Sequence, residues 1–158
     1  MNPVCELPPE AGVSISDLEA KIASNPVIQK SLSRSGRLFR DQRVKAVYSI
    51  APVLGPAFTH ESLNKITVPT QIVVGSDDDQ AIPEFNSELI AANIPGAKLI
   101  ELPDVTHYTF LSRCTLKGKL FVKKLCSDAK DINRADVHMK IGADAAHFFA
   151  NVFSGEVN

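Results

Sequence analysis

The sequence has almost no net charge, no long apolar run and no paired-cysteine motif, and each absence removes a class of protein. Seventeen Lys and Arg residues against 18 Asp and Glu leave a formal net charge of −1. A protein that works mainly on phosphate backbones carries a basic surface, so nucleic acid is not expected as a partner. No apolar stretch approaches the roughly 20 residues of a membrane-spanning helix, so no membrane span is expected. Residues 1–12 are acidic and proline-rich and lack the basic start and apolar run of a signal peptide. The compartment stays open: periplasmic or secreted for a longer form with a signal sequence, cytoplasmic otherwise. Cys5, Cys114 and Cys126 contain no C-x-x-C pair and so suggest no zinc site. Cys114 and Cys126 are close enough in sequence to pair across a loop, or all three remain plain thiols. There is no internal repeat and no low-complexity segment.

What remains is the composition of one ordinary domain. The chain has 158 residues, 44% hydrophobic and 22% charged, as in soluble globular proteins. Residues 1–40 read as an N-terminal loop and helical connector. Ser16, with Glu19 three residues on, is a candidate helix cap, and Pro26 separates a first helical pattern from a second containing Val27, Ile28 and Leu32. From residue 41 the pattern changes. Residues 44–50 (VKAVYSI) predict a strand buried on both faces, as do residues 70–74 (TQIVV), which Gly75 ends. Residues 84–93 predict a helix with Phe85, Leu89, Ile90 and Ala92 inward, and residues 98–102 (KLIEL) a third strand. Residues 113–133 read as irregular. Residues 135–153 predict a final helix with Val137, Ile141, Ala145, Phe148, Phe149 and Val152 on one face. This alternation predicts an α/β fold with about three parallel strands and flanking helices. Three buried parallel strands need cover on both faces and both edges, so the sheet reads as the side of a larger one.

In open α/β sheets the reactive groups gather at the C-terminal ends of the strands. Two candidates lie there: the acidic loop Asp77-Asp78-Asp79 after the second strand and His107 after the third, about 30 residues on. Adjacent parallel strands bring both loops to one rim. A buried carboxylate bonded to one imidazole nitrogen fixes the tautomer, and the other nitrogen can then take a proton from a hydroxyl. Three adjacent acids are otherwise a solvated turn, and a lone histidine is otherwise structural. That second description suits His60, His138 and His147, and the last two are not spaced to share a metal. The nucleophile such a pair would serve belongs upstream, in G-x-S-x-G on a tight strand-to-helix turn. Gly12-Val13-Ser14-Ile15-Ser16 lacks the second glycine, and Ser33-Arg34-Ser35-Gly36 lacks the first.

Residues 41–153 resemble the C-terminal portion of the predicted dienelactone hydrolases, a branch of the α/β-hydrolase superfamily. The pieces that carry the resemblance run in order: Arg43-Val44-Lys45-Ala46-Val47 with Ala51-Pro52; Val68-Pro69 before Ile72-Val73-Val74-Gly75; Asp78 and Asp79 with Pro83; Ile94-Pro95-Gly96-Ala97; His107-Tyr108-Thr109-Phe110-Leu111 with Cys114; Cys126-Ser127-Asp128; Asn133-Arg134; His138; Phe148-Phe149. The resemblance implies a partial α/β-hydrolase fold over residues 41–158 and hydrolysis of a small carboxylic ester or lactone by a Ser-His-Asp mechanism, with no metal and no organic cofactor. It implies His107 as general base and Asp78 as the acid that orients it. Counting from Gly75 selects Asp78, whereas counting back from Pro83 selects Asp79. The strand end fixes the geometry more tightly, which favours Asp78 and leaves Asp77 third. Phe58, Tyr108 and Phe110 are candidate acyl-pocket residues, and the family likeness makes a Cys114–Cys126 bridge as plausible as free thiols. It also implies that the elbow serine lies in an N-terminal half beyond this chain, so that the chain alone is expected to be inactive. The alternative is a non-catalytic truncated remnant, or half of a split hydrolase, whose open strand edge binds its N-terminal half or a second copy. A third reading is a stand-alone small α/β binding domain with an incidental acid–histidine pair.

Overall fold

The computed structural model describes residues 12–37 and 39–155. The expected N-terminal loop over residues 1–11, with Cys5, lies outside them. The chain divides into two compact units, Met1–Gln42 and Arg43–Asn158.

The first unit contains two short helices, α1 (Ile15–Ser24) and α2 (Pro26–Leu32). The cap of α1 is Ser14, not Ser16. Ser14 has extended backbone angles and its hydroxyl accepts from Asp17 N–H, while the Asp17 carboxylate accepts from Ser14 N–H. Ser16 is already helical and cannot serve as the cap. Asn25 ends α1 and opens α2, its side-chain oxygen accepting from Val27 and Ile28 N–H. Pro26 fits the first turn of α2, where no N–H is needed. Neither helix has a buried residue.

The second unit holds three parallel strands in one open sheet, β1 (Val47–Ile50), β2 (Thr70–Gly75) and β3 (Lys98–Leu102), in the order β1-β2-β3. Val47 pairs with Thr70 and Gln71 with Lys98. The α/β class and the parallel sheet are those the alternation predicts. Every residue of β2 is buried, as its β-branched run requires. β1 differs from expectation. It begins at Val47 rather than Val44, and none of its residues is fully buried. It is an edge strand among the described residues, so it lacks the flanking partner that would cover it.

Helices lie on both faces. α3 (His60–Asn64) and α4 (Ser87–Asn93) cover one, where Leu63, Ile72, Ile90 and Ile94 pack together. α7 (Arg134–Ser154) covers the other, where Val73, Leu102 and Val105 pack against Tyr48, Phe110, Val137 and Ile141. Ile72 and Val73 point to opposite faces because strand side chains alternate. Burying each contributes about 1.5–3 kcal/mol. Tyr48 and Gln71 both donate to the Asp144 carboxylate and fasten α7 to β1 and β2. Burial and the neighbouring Asp144 carboxylate push the Tyr48 phenol far above its ordinary pKa, so it stays a donor at any physiological pH.

Three expectations need correction. The helix predicted over residues 84–93 starts at Ser87, after a 3₁₀ turn at Pro83–Phe85, because Pro83 and the non-helical Asn86 break the run. Ala92 faces solvent. Residues 113–133 are not irregular throughout but contain α5 (Leu116–Phe121) and α6 (Lys123–Cys126). Both are too short to show an apolar period.

Gly75 ends β2 for a steric reason. A Cβ there would sit 1.9 Å from the Val105 carbonyl oxygen. The contact is to backbone, so no side-chain rotation relieves it. Gly75→Ala is expected to destabilise the fold by about 1–3 kcal/mol, the usual range for overpacking. It should also push the β3 loop away from the β2 loop. Chemical denaturation and the His107 NMR signals measure the two effects, and unchanged values for both would contradict the close approach.

Candidate functional site

Three loops meet at the C-terminal rim of the sheet. The β1 loop turns through Ala51 and Leu54, both with left-handed backbone angles. It is fastened to the β2 side by the Gly55 N–H, which donates to Asn86 Oδ1 at 3.0 Å. The β2 and β3 loops are tied together more closely. Ser76 N–H donates to Leu102 O at 2.9 Å and Asp77 N–H to Val105 O at 3.1 Å. In return, Asp104 N–H donates to Ser76 Oγ at 3.0 Å. These bonds set the distance between the acid and the histidine.

Asp78 has no exposed side-chain surface. Its Oδ1 accepts from Gln80 N–H at 3.0 Å and Ala81 N–H at 2.7 Å. Its Oδ2 accepts from His107 Nδ1 at 2.8 Å. An ionised carboxylate only accepts, so Nδ1 is the donor and the neutral ring keeps its lone pair on Nε2. His107 opens a 3₁₀ turn (His107–Phe110), and its side chain is 23% exposed. Water or a substrate can therefore reach a ring whose other nitrogen is committed to a buried acid. Asp77 and Asp79 are exposed. Among the three acids, Asp78 holds the position that counting from the strand end selects.

The hydrogen bond that His107 donates to Asp78 is the main reason that the His107 pKa lies above its ordinary value of 6.5; burial opposes it, and the charges of Asp78 and Asp79 reinforce it. A raised folded value means that the pair stabilises the fold fully below the unfolded value of about 6.5. The contribution fades as pH rises through the folded value. His107 is expected to titrate in the folded chain with a midpoint above that of an unfolded control, read from the pH dependence of its ring NMR signals. A midpoint at or below the control would contradict the pairing.

The other sequence candidates lie as follows. Tyr108 is half-buried, donates to Gln80 Oε1 at 3.1 Å and meets the His107 ring edge-on at 5.6 Å between centroids. Phe110 packs against the core below the rim, beside Val73, Leu102 and Val105. Phe58 is exposed in the β1 loop. Cys114 and Cys126 are joined by a disulfide. His138 donates from Nε2 to the carbonyl of Thr109, two residues after His107, and so steadies that turn. His60 bonds to Asn93 and His147 to Asn151. Among the described residues no three His, Cys, Asp or Glu side chains are grouped to hold a metal ion. No described helix is long and apolar enough to cross a membrane.

One anchor was not assigned a role from sequence. Arg134 is buried and forms a fork onto the Asp128 carboxylate at 3.0–3.2 Å. It also donates to Ser112 O at 3.3 Å and Leu125 O at 3.0 Å. It thereby joins the segment after His107 to the one before Cys126. A signal for it exists: a cation in the first turn of a helix is opposed by the helix dipole, so Arg134 directly after the cap Asn133 implies a specific anionic partner.

Compared with known proteins, the chain matches no family model and no curated protein. The class that the fold and site themselves define is an open parallel α/β sheet with a buried acid–histidine pair at its C-terminal rim.

Proposed function

We propose that this chain supplies the acid and the base of an ester- or lactone-hydrolysing site of the dienelactone-hydrolase type. The observation that carries the reading is the hydrogen bond from His107 Nδ1 to the fully buried Asp78. That arrangement leaves Nε2 as the proton acceptor. A serine from an N-terminal half, or from a partner, attacks the acyl carbon while Nε2 takes its proton. The imidazolium formed is stabilised by Asp78 and returns the proton to the leaving alkoxide. Water repeats the sequence on the acyl-enzyme. The resemblance over residues 41–153 supports the same substrate class and calls for no metal or organic cofactor.

The experiment pairs the purified chain with the segment encoded immediately upstream, if that DNA contains an in-frame G-x-S-x-G. The chain alone should hydrolyse p-nitrophenyl acetate and butyrate no faster than its His107→Ala variant. The reconstituted pair should be active, labelled on serine by a fluorophosphonate, and silenced by His107→Ala. An upstream region with no such motif, or an inactive reconstituted pair, would remove the proposal.

A second reading, a remnant or split half that acts only by binding, is favoured by one observation. β1 leaves an open edge on which Ile50 is 42% exposed. Self-association of the chain on gel filtration without any esterase activity on reconstitution would select it.

A further inference from the structure

The segment that follows the His107 turn is strongly basic. Residues 113–124 carry five cations, Arg113, Lys117, Lys119, Lys123 and Lys124, and no acid, in a protein whose net charge is −1. Interleaved with them are Leu116, Leu120 and Phe121, which are 88%, 66% and 71% exposed, and Val122, also exposed. Single exposed apolar residues are ordinary, but four in such a short stretch among lysines are not.

The local structure holds them outward. Thr115 caps α5, accepting from Gly118 N–H at 3.1 Å. Gly118 faces the disulfide, and a Cβ on it would meet Cys114 Cβ and Cys126 Sγ at 3.6 Å. Leu116 and Leu120, two residues before and after Gly118, lie on the opposite side of α5, which faces water, and Phe121 is exposed at its end. The disulfide and the Arg134 bond to Leu125 O close the segment at its base.

We propose that residues 113–124 form a lobe that docks on an anionic lipid bilayer surface. Such a surface takes both features at once. Leu116, Leu120 and Phe121 enter the boundary between headgroups and acyl chains, while Lys117, Lys119 and Lys123 extend to the lipid phosphates. A nucleic acid would use the cations and leave the apolar side chains in water. A protein groove would use the apolar side chains without needing so many cations. The lobe adjoins the candidate site, since Lys124 Nζ lies 5.9 Å from the centre of the Tyr108 ring. The proposal stands apart from the hydrolase reading, because docking needs neither His107 nor Asp78.

The test is flotation of the whole chain with vesicles of phosphatidylcholine alone or mixed equally with phosphatidylglycerol. The expected result is binding to the mixed vesicles at least about tenfold stronger than to the neutral ones, weakened by salt. Lys117→Gln with Lys119→Gln should lower it by about 25-fold, at about fivefold per cation. Leu116→Ser with Leu120→Ser should lower it by a similar factor, with an unchanged thermal melt because both positions are exposed. The chain has no tryptophan, so Phe121→Trp provides a single fluorescent reporter that should shift to the blue on mixed vesicles. Equal binding to both vesicle types, or no shift at Trp, overturns the proposal. So does a serine variant that binds like the parent, which would indicate a polyanion site. Lipid-free dimerisation that the serine variant abolishes also overturns it, because a second copy would then cover the patch.

Discussion

Asp78→Asn is expected to leave the sheet standing and to disable His107 as a base. The amide oxygen can still accept from Gln80 and Ala81 N–H, so the loop keeps both bonds. The amide NH₂ then faces His107 Nδ1, which must accept instead of donate. The neutral ring consequently carries its proton on Nε2, the nitrogen that has to receive one. In a reconstituted hydrolase this reversal should lower kcat by about 10⁴-fold, the size of effect that the same change has in a serine-protease triad. The isolated chain gives a readout that needs no catalysis. Ring nitrogen chemical shifts should report the Nδ1–H tautomer in the parent and the Nε2–H tautomer in the variant. The titration midpoint of His107 should fall, because the hydrogen-bonded carboxylate that raises it is gone. An unchanged tautomer would show that Asp78 does not set the ring. Asp79→Asn is the matched control: it removes one charge from an exposed position and should lower the midpoint only slightly.

Arg134→Ala is expected to cost about 3–5 kcal/mol of stability, the range for removing one partner of a buried ion pair. The substitution strands Asp128 without its fork and leaves the Ser112 and Leu125 carbonyls without their donor. Arg134→Lys should recover little, because an ammonium group cannot reproduce the planar fork or span both carbonyls. The pair Arg134→Met with Asp128→Leu should recover most of the loss, since it removes both buried charges together. Urea denaturation of the four chains measures this. A loss below about 1 kcal/mol for Arg134→Ala would show that Arg134 is not an anchor.

How far the sequence could be read depended on what kind of force shaped each part. β2 was legible because a buried strand leaves a run of Ile and Val, and Gly75 marks its end through a backbone contact that only glycine allows; β3 was legible from Leu99, Ile100 and Leu102. The start of β1 was not legible. Val44 makes residues 44–50 read as one run, and whether residues 44–46 join the strand depends on a neighbour that sequence does not reveal. α5 was not legible because its apolar side chains face outward, so no buried stripe appears, and α6 because four residues are too few to show a period. The first cap was misplaced by two residues because Ser14 and Ser16 both precede an acid at a workable distance, and only backbone angles distinguish them. Within the site, Asp78 and His107 were legible from their positions after two strands. The acceptor role of Asp78 toward Gln80 and Ala81, the Arg134 bonds to the Ser112 and Leu125 carbonyls and the His138 bond to Thr109 were not, since each depends on where a main-chain group points.

The strands lie side by side in the order in which they occur along the chain, with pairing partners 23 residues apart between β1 and β2 and 27 apart between β2 and β3. The acid and the histidine therefore belong to a single crossover, from Gly75 through α4 to His107, and every bond that sets their spacing closes within it. Such a unit is portable. A recombination event that moved this one contiguous stretch would carry the carboxylate, the imidazole and their mutual geometry together.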